Sequence, residues 1–169
     1  GSDRTAADQG ADDTADSDAD RATGATSGFD VVSGSDVSGV DAGYFEPVAI
    51  HGIAWDDADG DGVQDAGELP VAGVVVTLVG TDGAGNPVSI PATTGADGRY
   101  DFTGLVPGTY HLEVAAPSGT EFTVDGQGPA DTDSDPAPAT GHTAPVTLDS
   151  GDHRDHLDSG FFTPAHLGG

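Results

Sequence analysis

Residues 55–68 read Trp-Asp-Asp-Ala-Asp-Gly-Asp-Gly-Val-Gln-Asp-Ala-Gly-Glu. With Asp57 as position 1, Asp59 falls at 3, Asp61 at 5, Gly62 at 6, Val63 at 7, Asp65 at 9 and Glu68 at 12. This is the register of a twelve-residue, EF-hand-like calcium loop, with the glycine that its sharp turn requires. A hard cation needs six or more oxygens converging on one point. Asp57, Asp59 and Asp61 would supply side chains, Val63 its carbonyl, and Asp65 a direct or water-borne contact. Glu68 would close the site with both oxygens. An Asp/Gly-rich surface turn is the plainer reading, but it does not account for so many positions falling in register together. The loop is expected to bind Ca²⁺.

Other chemistry-bearing residues are weaker. Asp131, Asp133 and Asp135 alternate in a long polar loop and offer a second oxygen-rich set, with a solvated acidic loop as the alternative. His153 and His156 have a spacing found in some metal sites, but no third ligand stands in register, so they are expected to be exposed. Trp55, the one tryptophan, reads as a core anchor for the adjoining loop rather than a sugar-stacking platform. The carboxylates cluster in turns instead of facing each other across a cleft, and no nucleophile–base set is present. An enzyme is not expected.

Thirty acidic residues against four basic ones give a net charge of −26. Such a polyanion repels nucleic acid and anionic membranes and attracts divalent cations. A saline habitat is a second source of the same bias. There is no cysteine, the four basic residues are all arginine, and no stretch nears the roughly 18 apolar residues of a membrane span.

These residues must be positioned by strands. Residues 1–28 carry almost no large apolar side chain and are expected to be loop or disorder. Strand signals follow at 29–32, 37–45 and 48–55, then at 71–79, 87–94 and 99–102. Further signals fall at 109–115, 121–124, 145–148 and 156–162. In 109–115, Tyr110, Leu112 and Val114 alternate with Thr109, His111 and Glu113, which gives one buried and one wet face. No window shows a 3.6-residue apolar period. Many short strands with frequent turns predict an all-β sandwich.

The chain also repeats itself. Asp16-Ser17-Asp18 matches Asp133-Ser134-Asp135, and Asp41, Gly43, Phe45 and Pro47 match Asp158, Gly160, Phe162 and Pro164, all at an offset of 117 residues. The expected organisation is a disordered or linker segment at 1–15, the C-terminal part of one repeat at 16–47, a complete repeat at 48–164 and a tail at 165–169. Asp16, Asp18 and Asp20 sit where the second acidic set lies in the next copy, without a partner loop, and are expected to bind weakly or not at all.

Val48-Ala-Ile-His-Gly-Ile-Ala-Trp55, the loop ending Asp65-Ala-Gly-Glu68, Thr94-Gly-Ala-Asp-Gly-Arg-Tyr-Asp-Phe-Thr-Gly-Leu105 and Pro107-Gly-Thr-Tyr110 together resemble the B-type repeat of serine-aspartate-repeat (SdrD-type) surface adhesins. The resemblance implies a prealbumin-like (Cna B-type) β-sandwich that binds calcium and serves as a stalk behind a separate ligand-binding head. It implies further calcium at the Asp-Ser-Asp segment, with Asp56 beside the tryptophan as an added ligand to Asp131, Asp133 and Asp135. Related domains lock themselves with a Lys–Asn isopeptide bond, which a chain without lysine cannot form. The expected function is therefore a Ca²⁺-rigidified spacer repeat of a secreted or cell-surface protein. Its partners would be neighbouring repeats and, through the head, extracellular matrix or another cell. The alternative is an extracellular β-sandwich module that recognises a glycan or peptide.

Overall fold

The computed structural model describes residues 1–9 and 16–165, and the chain divides into two units, Gly1–Pro47 and Val48–Gly169. In the first unit, β1 (Asp3–Arg4) pairs antiparallel with β2 (Tyr44–Phe45), and Arg21 lies over the Phe45 ring at 5.2 Å. Asp3–Arg4 is an element that the composition of the N-terminal segment gave no reason to expect. Residues 10–15 and 166–169 lie outside the described residues.

Strands are not formed over 29–32 or 37–43. Phe29, Val31, Val32, Val37 and Val40 stand exposed. Their pattern favours a pleated ribbon, but a strand's hydrogen bonds go to a neighbour, and among the described residues this unit offers a two-residue ladder and one isolated bridge, neither of which involves them. Apolar alternation without a partner strand remains coil.

The second unit is built around β3 (Val48–Asp56). Along one edge β3 runs antiparallel to β7 (Arg99–Leu105), followed by β4 (Leu69–Pro70). Along the other it runs parallel to β11 (His153–Arg154) and then to β12 (Ser159–Phe162), whose far side carries β9 (Glu121–Phe122). The facing sheet is antiparallel throughout, in the order β10 (Val146–Leu148), β8 (Gly108–Val114), β5 (Val75–Asp82) and β6 (Pro87–Thr93). Among the described residues there is no helix. The molecule is an all-β sandwich.

The core lies between the sheets. Val76, Leu78, Tyr110, Leu112, Val114 and Leu148 on one side meet Val48, Ile50, Tyr100, Phe102, Leu105 and Phe161 on the other. Each such side chain stabilises the fold by roughly 1.5–3 kcal/mol when buried. A metal at the periphery therefore adds to this core and does not replace it. The period-2 pattern of 109–115 is realised as expected, with Tyr110, Leu112 and Val114 buried.

Two strand boundaries differ from the sequence reading. The strand expected at 71–79 begins at Val75, because residues 71–74 form a turn with Gly73 at φ 79°, while Leu69–Pro70 joins β3. The strand expected at 156–162 is cut by His156 at φ 60° and resumes at Ser159. That break leaves the middle of one β3 edge without a strand partner; there the Leu157 N–H reaches the His51 carbonyl and Asp158 Oδ1 accepts the Ile53 N–H.

Candidate metal centre

The loop after β3 is shaped by its own carboxylates. Asp57 donates its N–H to the Phe161 carbonyl at 2.7 Å, extending the β3–β12 ladder. Its side chain then turns inward and is wholly buried. Oδ1 accepts from the Gly60 N–H at 2.7 Å and Oδ2 from the Gly62 N–H at 2.9 Å. Gly62 holds φ 84°, and a Cβ there would lie 2.5 Å from the Val124 carbonyl oxygen, so both conformation and space require glycine. Asp61 Oδ1 accepts from the Val63 N–H at 2.8 Å. Glu68 reaches back across the loop, taking the Ala58 N–H on Oε1 at 2.8 Å and the Asp65 N–H on Oε2 at 3.0 Å.

This folding brings Asp57, Asp59 and Asp61 together, with one carboxylate oxygen from each inside a 4.8 Å sphere of mutual distances. The cluster is compact enough for one cation to touch all three carboxylates. Its donors are all oxygen, which suits a hard cation. Asp65, Glu68 and Asp56 line a shallow depression beside it with Asp59. Val63 faces the second acidic loop in an isolated bridge to Asp133.

Charge separates the three carboxyls. Burial pushes Asp57 up, but the neighbouring Thr123 hydroxyl and the Gly62, Gly60 and Asp61 amides outweigh it and hold the group below the usual range. Asp59 is raised, chiefly by the charge of Asp61, with Asp57 and Asp65 adding to it. Asp57 is thus a structural carboxylate and Asp59 a repelled one. A cation would relieve that repulsion. The residues present fit such an ion.

Asp131, Asp133 and Asp135 lie in the long loop between β9 and β10, which bonds to Asp158 in the segment between β11 and β12. Asp131 is exposed. Asp133 Oδ1 is buried without a hydrogen-bond partner. Asp135 donates its N–H to the Asp158 carbonyl at 2.9 Å, and its Oδ2 accepts the Asp158 N–H at 2.7 Å. Asp158, 2 % exposed, caps the Ile53 N–H through Oδ1 at 2.7 Å, where the parallel strand is interrupted. Burial first, and then the neighbouring carboxylates, push both Asp135 and Asp158 up to about 6. Ser134 Oγ accepts the Gly160 N–H at 3.1 Å, and the Gln64 N–H reaches the Thr132 carbonyl at 2.7 Å, tying this loop to both β12 and the first loop.

The structure therefore groups Asp133 and Asp135 with Asp158 and leaves Asp56 on the first loop's rim. Sequence reasoning did not select Asp158. The available signal was its place in the 117-residue repeat, opposite Asp41. His153 and His156 diverge: the first stacks on His51 at 6.4 Å between ring centroids, and the second lies 3.7 Å from Asp158. Trp55 is fully buried.

The family model for the SdrD B-like domain matches residues 48–161, the second unit almost end to end. The chain belongs to that family. The chain is 35% identical over 139 residues to serine-aspartate repeat-containing protein D of Staphylococcus aureus (strain Newman), covering 80% of this chain and 10% of that protein. It is 32% identical over 161 residues to serine-aspartate repeat-containing protein F of Staphylococcus epidermidis (strain ATCC 12228), covering 94% of this chain and 9% of the relative. The chain thus spans about a tenth of the length of these relatives. Among solved structures, GBS52, the minor pilin of Streptococcus agalactiae, aligns at TM-score 0.45 and 16% identity over 74% of this chain and 48% of its own.

Proposed function

We propose that this chain is a calcium-binding, non-enzymatic spacer repeat of a secreted or cell-surface adhesin-like protein, folded as a prealbumin-like (Cna B-type) sandwich and rigidified by Ca²⁺. The observation that carries this reading is the convergence of Asp57, Asp59 and Asp61 in an EF-hand-like register at the end of the central strand. Val63, Asp65 and Glu68 complete the ligand set, Glu68 after exchanging its two backbone amides for the ion. Asp133 and Asp135 supply a second site that draws on Asp158, with Asp131 at its margin, while Asp56 stays on the rim of the first loop. When bound, the ion supplies charge neutralisation only. The chain's part is to hold β3, the 57–68 loop and the 129–135 loop in one arrangement.

Residues 16–47 are read as the C-terminal part of a preceding repeat, 48–164 as a complete B domain, 1–15 as linker and 165–169 as tail. Val31, Val40 and Tyr44 are 64%, 44% and 59% exposed, while their counterparts 117 residues on, Leu148, Leu157 and Phe161, are 5%, 2% and 1% exposed. Exposed apolar residues at positions that the full copy buries support a fragment whose covering strands belong elsewhere. Its partners would be adjacent repeats and, through a separate head, extracellular matrix or another cell surface, with no nucleic-acid or membrane-inserted role.

Calorimetric titration of CaCl₂ into the chelated protein tests the reading. Saturable binding is expected, with dissociation constants on the order of 10⁻⁴–10⁻³ M or tighter. Heats no larger than dilution would contradict it.

A further inference from the structure

A second kind of ligand chemistry lies on the opposite sheet, distinct in donor type from the acidic loops. Along β8, His111 and Glu113 are two residues apart and so share the face turned away from the core, which takes Tyr110, Leu112 and Val114. His142 is placed opposite Glu113 by an antiparallel bridge. Its segment is firmly held. The Val114 N–H reaches the Gly141 carbonyl at 2.9 Å, the Thr143 N–H reaches the Leu112 carbonyl at 3.0 Å, and the Leu112 N–H returns to Thr143 Oγ1 at 3.0 Å. The His142 carbonyl accepts from the Ala137 N–H at 2.9 Å.

Three side chains from two segments 31 residues apart therefore converge on this face. His111 Nε2 lies 3.6 Å from Glu113 Oε1, and the His111 and His142 rings are 5.8 Å apart between centroids. One ligand atom from each of the three falls within 4.8 Å of the others. Zinc bound tetrahedrally at 2.0–2.2 Å sets its ligands about 3.3–3.5 Å apart. The His111–Glu113 pair already has nearly that spacing. His142, exposed and with a ring nitrogen within 4.8 Å of both, is the third ligand.

We propose that His111, Glu113 and His142 form a binding site for a borderline divalent transition metal of the zinc class. Two imidazoles and one carboxylate favour zinc, nickel or copper over calcium, whereas the oxygen-only loops favour calcium over these metals. Two neutral imidazoles and one carboxylate also leave the ion with a net positive charge, which the −26 charge of the chain attracts. Three protein ligands leave a fourth position for water or a donor from another molecule. The other histidine pair has different geometry. His51 and His153 are stacked with rings 3° from parallel, and His51 Nδ1 is engaged by Asp101 at 2.6 Å, so their nitrogens do not converge. The site stands whether or not the acidic loop takes calcium.

The test is calorimetric titration of Zn²⁺ into the full chain held in millimolar CaCl₂, with Co²⁺ absorption as a second readout of tetrahedral geometry. One saturable zinc site is expected. His142→Ala, on a surface segment, and His111→Gln should each weaken it at least tenfold, and Glu113→Gln several-fold. His153→Ala and Asp59→Ala should leave it unchanged, and circular dichroism checks that each variant folds. Absence of saturable zinc binding would overturn the proposal. So would binding that survives both histidine substitutions, or that is lost in His153→Ala.

Discussion

Asp57→Ala should destabilise the domain by about 3–5 kcal/mol in chelator, and by more in calcium, where a ligand is lost as well. The reason is its burial: the side chain has no exposed surface and satisfies the Gly60 and Gly62 amides inside the loop. Alanine strands both donors and leaves a small void. Each lost hydrogen bond to a charged group costs roughly 1.5–3 kcal/mol. Asp59→Ala should behave in the opposite manner. Asp59 is exposed, and its charge is disfavoured by Asp61. In chelator the substitution should be neutral or slightly stabilising, and in calcium it should abolish most of the stability that the ion confers. Urea melts of both variants under both conditions check this. Equal losses for the two variants in chelator would contradict the division between a structural and a repelled carboxylate.

In chelator, stability should fall as pH rises from about 4 to about 6. Asp135 and Asp158 are raised to about 6 in the folded chain from an ordinary 3.8. The folded state therefore binds more protons than the unfolded state across that window. The stability they contribute is complete below the unfolded value and is lost as pH passes the folded one. Two coupled, partly screened groups shifted this far correspond to about 2–4 kcal/mol in total. Asp158→Asn keeps the acceptor for the Ile53 N–H, removes one charge and relieves the other, so it should flatten most of this slope. A slope unchanged in Asp158→Asn would assign the effect to the overall negative charge instead. Calcium should also flatten it, by taking the place of the protons.

The legible parts of this molecule are those set by spacing along the chain. The loop register at 57–68, the alternation at 109–115 and the 117-residue offset each depend on near neighbours or on simple periodicity. The structure keeps the alternation, burying Tyr110, Leu112 and Val114. Tertiary meetings were not legible. Asp158 matters because β11 and β12 leave a gap beside Ile53, and that gap follows from the left-handed turn at His156. His111 and His142 meet only because the chain after the long acidic loop returns to β8. The valines at 71–79 have strand propensity from the first residue, yet Pro70 and Gly73 bend the chain before the ladder can start. Phe29 and Val31 show the converse. Propensity without a neighbouring strand produces no strand.

Calcium as the lock of the sandwich is tested most directly by the melting temperature as a function of free Ca²⁺. With neither disulfide nor lysine available, a metal-filled loop would be the cross-link between the central strand and the segments beside it. At 10–100 times its dissociation constant, calcium should add about 1.4–2.7 kcal/mol per site by mass action. For a domain of this size that corresponds to a rise on the order of 5–15 °C. The expected result is a melting temperature that climbs with free calcium, saturates, and returns to its starting value on addition of EGTA. A melting curve that does not move between millimolar calcium and excess EGTA would contradict the account.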